Sequence, residues 1–434
     1  MERYVSDSGI GGKTIFEVDE NQFGEVEMTA ILSMIKETIK APIFSVGLGG
    51  SIYSTPVVYK GLVYFGACDK NFYAVDVETG REEWRFVTDG VIIGSPAIHN
   101  GTVYFGSYDN CLYALSAENG KLIWKHSADD MIFSTPLVHK GVVYFGCKDG
   151  NLYAVSTEGK LLWKFPAKDS VATSPKVYKD VIYFGSDDMN LYAVSLDCKK
   201  LWSFAVNGCI SASPEICNDI IYFGSMDHNL YALSIEGKFL WKFETKAAIA
   251  LREPLVHNDV VYTGSREGNL FALDAKSGRL LWKFPAKDII ITTPAVDRER
   301  IFFGSDDKNF YALDMDGKLM WRFTTNGFCP SSPSVYNGKV YFGSFDCNLY
   351  AVTVDGKLVW KFPTSLSNQS RIDIESEHLP RTVQVVWKPE TGEEKEKYKG
   401  GEADIADYGT FSGTYIDTTK TDYLGRKKKG YKTR

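Results

Sequence analysis

Residues 170–204 read SVATSPKVYKDVIYFGSDDMNLYAVSLDCKKLWSF, and this stretch decides the fold. Four short β-rich runs (SPKVY, VIYFGS, LYAVS, LWSF) are separated by KD, DDMN and LDCKK, which supply turn chemistry. The layout recurs. Prolines that follow a Ser/Thr pair or its equivalent stand at Pro56, Pro96, Pro136, Pro175, Pro214, Pro254, Pro294 and Pro333, spaced 39 or 40 residues apart. Trp84, Trp124, Trp163, Trp202, Trp241, Trp282, Trp321 and Trp360 follow them at 27 or 28 residues. A third ladder is a glycine after an aromatic or threonine: Gly66, Gly106, Gly146, Gly185, Gly224, Gly264, Gly304 and Gly343.

Eight copies of four antiparallel strands predict an all-β protein, an eight-bladed β-propeller over residues 51–362. Large rigid side chains at equivalent places suit sheets that pack face to face on their neighbours. Glycine suits a strand that bends or is approached closely by another backbone. The recurring acidic turn residue (Asp69, Asp109, Asp149, Asp188, Asp227, Glu267, Asp307, Asp346) fits a tight hairpin whose side chain caps local amides. The ring of acids is therefore expected from architecture without any metal.

The pattern S-P-x-V, V-Y-F-G-S-x-D-x-N-L-Y-A-V and G-K-L-x-W-K-F resembles the tryptophan-docking repeat of the pyrroloquinoline-quinone (PQQ) dehydrogenase superfamily. It is also similar to the eight-bladed propeller of bacterial outer-membrane assembly lipoproteins. In the dehydrogenases, the resemblance implies a quinone and calcium held by long insertions, a stacking tryptophan, adjacent disulfide-bonded cysteines and Glu, Asn and Asp ligands. This chain has near-constant repeat lengths and no adjacent cysteines, and Trp387, its ninth tryptophan, falls outside the ring. The dehydrogenase residues do not carry over, and no cofactor is expected; PQQ with Ca is the alternative.

The chain has 434 residues, 44% hydrophobic and 24% charged, with a formal net charge of -6, so no global field draws it to nucleic acid or an anionic membrane. Neither a secretory signal nor an uninterrupted apolar run of membrane-spanning length is read, and eight scattered cysteines fit a reducing compartment. A cytoplasmic location is the expectation. His99, His139 and His257 take equivalent turn positions in different copies, a spread unsuited to one metal. No phosphate loop or nucleophile elbow is present.

One copy breaks the rule. Blade 6 has Arg252 and Glu253 before its proline, Thr263 for the aromatic and Phe271 for the tyrosine. A guanidinium at the channel mouth suits a carboxylate or phosphate, with Lys168, Lys246 and Lys287 on neighbouring loops adding positive potential; the plainer reading is an Arg–Glu pair that neutralises itself. Residues 1–50 hold one amphipathic helix, about 25–40, and residues 363–434 form an extension with a possible strand at 382–387. The extension ends in a basic stretch carrying Arg426, Lys427, Lys428, Lys429, Lys432 and Arg434, either a solvated end or a contact for nucleic acid. The function expected is a non-catalytic, rigid protein-interaction scaffold; the alternative is an enzyme or sensor holding a small anion near Arg252.

Overall fold

The computed structural model describes residues 49–249 and 252–364, together with the backbone of two paired strands, Glu2–Asp7 and Lys13–Val18. That hairpin was not anticipated: residues 1–18 lack a strong apolar alternation, and the reading assigned residues 1–50 a single helix. The expected helix at 25–40 and everything beyond Thr364 lie outside the described residues.

The rest is eight four-stranded antiparallel sheets, each strand paired with the next in sequence. Blade 1 comprises Val57–Tyr59, Leu62–Gly66, Asn71–Asp76 and Glu82–Val87. Blade 6 comprises Leu255–His257, Val260–Gly264, Asn269–Asp274 and Leu280–Pro285. Blade 8 comprises Ser334–Tyr336, Lys339–Gly343, Asn348–Thr353 and Leu358–Pro363. The first strand of each blade lies innermost, where blade 8 meets blade 1 as other neighbours meet each other.

The core sits between blades. Val63, Phe65 and Tyr73 of blade 1 share a buried cluster with Tyr341, Leu349 and Ala351 of blade 8, and seven similar clusters occupy the other interfaces. Each ladder tryptophan docks on the following blade: its indole N–H donates to a turn carbonyl there, at 2.8–3.2 Å in all eight cases. Trp360 donates to the Val77 carbonyl, so the last blade closes on the first by the device that joins all the others.

The glycine ladder has a steric cause. A Cβ on Gly185 would lie 2.2 Å from Cγ2 of Ile210 in the loop leading to the next blade, and the other seven would meet an equivalent residue at 2.1–2.5 Å. Blades pack there with backbone against side chain, which only glycine permits.

The acidic turns are consumed by the fold. Asp227 accepts from the Asn229 amide at 3.1 Å, from the Asn207 amide of the preceding loop at 3.1 Å and from the Tyr231 hydroxyl at 2.7 Å. Seven blades carry the Asp–Tyr bond at 2.5–2.7 Å. Blade 6 carries Glu267 and Phe271 instead, both partners exchanged together. Among the described residues, no group of three or more His, Cys, Asp and Glu is placed to hold a metal ion.

Candidate functional site at the hub

Hydroxyls in the two positions before the ladder prolines fasten the innermost layer; five blades carry both, while Gly94 and Ala212 leave blades 2 and 5 with one. Ser54 accepts from the Gly66 amide at 3.0 Å and donates to its carbonyl at 2.8 Å; Ser134, Thr173 and Thr292 clamp their own glycines in the same way. The second hydroxyl accepts an amide of the preceding blade, as Ser95 does from Thr55 at 2.9 Å and Ser213 from Ser174 at 2.8 Å. Blade 6 gives up both hydroxyls. Thr263, which replaces the aromatic, turns its own hydroxyl toward the Gly264 carbonyl at 3.4 Å and makes up part of the lost clamp.

Released from the clamp, Arg252 reaches across the hub. Its guanidinium donates to the Tyr53 carbonyl at 2.7 Å and lies 5.5 Å from the centre of the Tyr53 ring. Blades 6 and 1 are three apart, so this contact joins parts of the ring that share no interface. Glu253 lies instead beside Lys176 of blade 4, at 4.0 Å, while Lys176 pairs with Glu215 of blade 5 at 3.1 Å. The self-neutralising Arg252–Glu253 pair is replaced by these longer connections, because neighbouring side chains point to different sides of an extended segment. Burial lowers the Lys176 pKa, but the Glu253 and Glu215 carboxylates outweigh it and hold the amine above its ordinary value.

Further charged groups at the hub come from the residue two after the ladder glycine, a position that varies from blade to blade: Cys68, Tyr108, Lys148, Asp187, Met226, Arg266, Asp306 and Phe345. Burial pushes the Asp306 carboxyl up to about 7, reinforced by Asp288 and Asp307 and opposed by Arg266. Burial also raises Asp187 to about 6, against the Ser170 hydroxyl and Lys148. Tyr53 is pushed up to about 12 by burial, with Arg252 pulling the other way. Sequence reasoning missed Tyr53, Asp187 and Asp306. For Asp187 and Asp306 the signal was the variation at one column of an otherwise regular repeat.

Beside these charged groups the mouth carries an apolar cluster. Tyr53, Cys68, Ile93 and Ile291 are buried together, with half-buried Tyr108, Phe133 and Phe345 against them. Lys168, Lys246 and Lys287 are exposed on the loops after blades 3, 5 and 6, so two of the three flank blade 6 and Lys168 stands further round. Backbone amides of Lys168 and Lys287 donate to Asp188 and Asp307 at 2.9 and 3.1 Å. His139 sits at the end of an innermost strand and pairs with Asp180 at 3.0 Å. Arg426, Lys427, Lys428, Lys429, Lys432 and Arg434 lie outside the described residues.

At the circumference, every outermost strand shifts register just before its tryptophan. The extra residue points outward and is aliphatic in blades 2 to 8, as in Ile123 (54% exposed), Leu201 (51%) and Met320 (47%); blade 1 has Glu83. Such a bulge blunts a sheet edge against strand addition.

Two families match the chain: "Beta-alanine-activating enzyme, beta-propeller" over residues 28–258, and "Outer membrane protein assembly factor BamB" over residues 226–386. No curated protein matches. Among solved structures, the chain is similar to the computationally designed protein Ika8, with a TM-score of 0.64 and 16% identity, covering 70% of this chain and 96% of that one. It is likewise similar to BamB from Moraxella catarrhalis, with a TM-score of 0.61 and 17% identity, covering 69% and 96%. At those identities the likeness concerns the fold. The first family match spans more than half of the chain, and with the eight docked blades it makes this protein a member of the β-alanine-activating enzyme β-propeller family, within the PQQ-like propellers.

Proposed function

We propose that the protein is a non-catalytic, rigid platform for another protein, with the outer rim of blades 2 to 8 as the contact surface. The observation that carries this reading is the division of labour within the ring. Polar side chains at the hub are committed to blade-to-blade contacts, while the circumference leaves a periodic set of aliphatic side chains in water. A surface of that kind favours an apolar partner. The family resemblance to an assembly factor supports a role in holding proteins together. The eight cysteines are unpaired, which supports placement in the cytosol.

The test is purification from the native cell at low and high salt, with the wild type beside Leu281→Asp/Met320→Asp. An apolar contact predicts a partner retained at both salts and lost from the variant, whose melting temperature stays unchanged. Retention that the rim substitutions leave untouched would refute the rim as the surface.

We further propose that the hub takes no quinone. The acidic turns are spent on amides and tyrosines, and Arg252 on the Tyr53 carbonyl, so the residues present do not fit a PQQ–calcium pair. An absorbance spectrum of the purified protein with added PQQ and calcium checks this: an unchanged quinone band is expected. A second reading, a small anion held at Arg252, is favoured by the neighbouring Arg266, and would show as a rise in melting temperature on adding phosphate or citrate.

A further inference from the structure

The rim is not uniform in charge. In the outermost strands of blades 5 to 8, Phe239–Glu244, Leu280–Pro285, Leu319–Thr324 and Leu358–Pro363, the exposed apolar pair before each tryptophan is bracketed by bases. Lys238, Arg279, Lys318 and Lys357 precede the pairs; Lys242, Lys283, Arg322 and Lys361 follow the tryptophans, and all eight are exposed. Residues 238–244, 279–285, 318–324 and 357–363 hold those eight bases and one acid, Glu244, in a chain whose formal net charge is -6. The turns just before them add Glu236, Asp316 and Asp355, of which Asp355 is taken up by Arg300 at 2.8 Å, so the arc stays basic.

The other half of the circumference breaks the arrangement. Blade 1 has Glu82 and Glu83 in place of the apolar pair, and Glu82 holds Arg85 at 2.9 Å. Lys164 of blade 3 is held by Asp129 at 2.7 Å, and blade 4 has Lys200 before Leu201 and Ser203 after its tryptophan. Blade 2 keeps the motif but stands alone between blades 1 and 3. By contrast Lys242, Lys283, Arg322 and Lys361 form no ion pair among the described residues, and they stand on four consecutive blades.

The curvature of the ring selects the occupant. Eight sheets packed face to face about 10 Å apart, and diverging outward, put neighbouring outermost strands roughly 16 Å apart. A flat anionic bilayer that touches two of these strands therefore leaves the next pair recessed by roughly 10 Å. Single-stranded nucleic acid wants a ring to stack on in each blade, and among the four apolar pairs only Phe239 offers one. A flexible extended chain has neither difficulty, since about five residues span the distance from blade to blade.

We propose that the arc of blades 5 to 8 takes an extended acidic segment of the partner protein, with an aliphatic side chain beside a carboxylate about every five residues. Each aliphatic group lies on an exposed pair such as Leu280 and Leu281, and each carboxylate meets the base beyond the tryptophan, such as Lys283. The inference rests on the platform reading and adds the chemistry of the partner and the half of the rim that it uses.

Fluorescence anisotropy of the full chain with a fluorescein-labelled peptide of four Leu-Asp-Ser-Gly-Ser repeats tests it. Saturable binding is expected, weakened but not abolished by salt, and at least about tenfold weaker for the same peptide with Asn in place of Asp. Lys283→Glu/Arg322→Glu, exposed changes with an unaltered melting temperature, should weaken it about tenfold or more and restore binding to a peptide with Lys in place of Asp, a reversal that damage to the fold does not produce. Lys168→Glu/Lys287→Glu makes the same change of net charge on the hub-mouth loops and should leave binding as it is. No binding, equal loss from both double variants, or a preference for phosphatidylglycerol vesicles, poly-uridine or a second copy of the chain would each overturn the proposal. The platform reading fails separately: a native partner lost on Leu281→Asp/Met320→Asp but indifferent to Lys283→Glu/Arg322→Glu keeps the platform and removes the acidic segment.

Discussion

Blade 6 exchanges both members of the Asp–Tyr pair, and this supplies a quantitative test of what the acidic ring does. Recreating that exchange in blade 5 requires Asp227→Glu and Tyr231→Phe. Tyr231→Phe deletes one hydrogen bond to a carboxylate, worth about 1.5–3 kcal/mol, while the Asn229 and Asn207 amides keep Asp227 anchored; a loss near 2 kcal/mol is expected. Asp227→Glu moves the carboxylate by a methylene, weakens the amide bonds and leaves a buried tyrosine hydroxyl without its acceptor. The Tyr231 residue is 6% exposed, so water does not replace that acceptor, and about 3 kcal/mol is expected. With both changes the stranded hydroxyl is absent, and the total should stay near 3 kcal/mol instead of the additive 5. Urea unfolding followed by circular dichroism and tryptophan fluorescence on the four proteins yields the coupling, about 2 kcal/mol. Additivity within about 0.5 kcal/mol would show that the carboxylates do not act through the tyrosines, and the architectural account of the acidic ring would fail.

Other consequences follow from the same contacts. Arg252→Met removes a charged hydrogen bond and a ring contact spanning the hub and should cost about 2 kcal/mol in the same unfolding assay; no loss would mean that Arg252 does not brace the ring. The Asp306 carboxyl has a folded pKa of about 7, above that of the unfolded chain, so the folded state binds the extra proton and stability falls as pH rises from about 4 to 7. Asp306→Asn should therefore raise the melting temperature at pH 8, by an effect of about 1–2 kcal/mol after allowing for partial exposure, and do little at pH 4.5; equal shifts at both would contradict the assignment. Gly185→Ala should cost about 3 kcal/mol or more, because the Thr173 hydroxyl holds both the Gly185 amide and carbonyl while the new methyl meets Ile210. Gly61→Ala, at a φ of +80° with nothing within 4 Å, should cost only about 1 kcal/mol; thermal melts distinguish the two.

The ring was legible because its determinants repeat. Prolines, tryptophans and glycines at a fixed spacing announce eight equivalent interfaces, and the contacts behind the pattern are hydroxyl bonds beside the prolines, an indole bond to the next blade, and a close approach to the following loop. The exception in blade 6 was visible for the same reason. Its consequence was not, since a sequence places Arg252 beside Glu253 but cannot show that closure of the ring carries Tyr53 to within 2.7 Å of the guanidinium. Asp306 and Asp187 were hidden for a related reason. They occupy a variable turn position, and their raised pKa values arise from burial that only eight assembled blades create. The outward aliphatic residues of the rim read in sequence as ordinary strand positions; the register shift before each tryptophan turns them to solvent.

A crystal structure of the protein purified from its native cell tests the central claim most directly. The account predicts eight four-stranded sheets in a closed ring, with the Arg252 guanidinium on the Tyr53 carbonyl across the hub. A different number of sheets, or Arg252 turned onto a bound quinone or other anion, would contradict it.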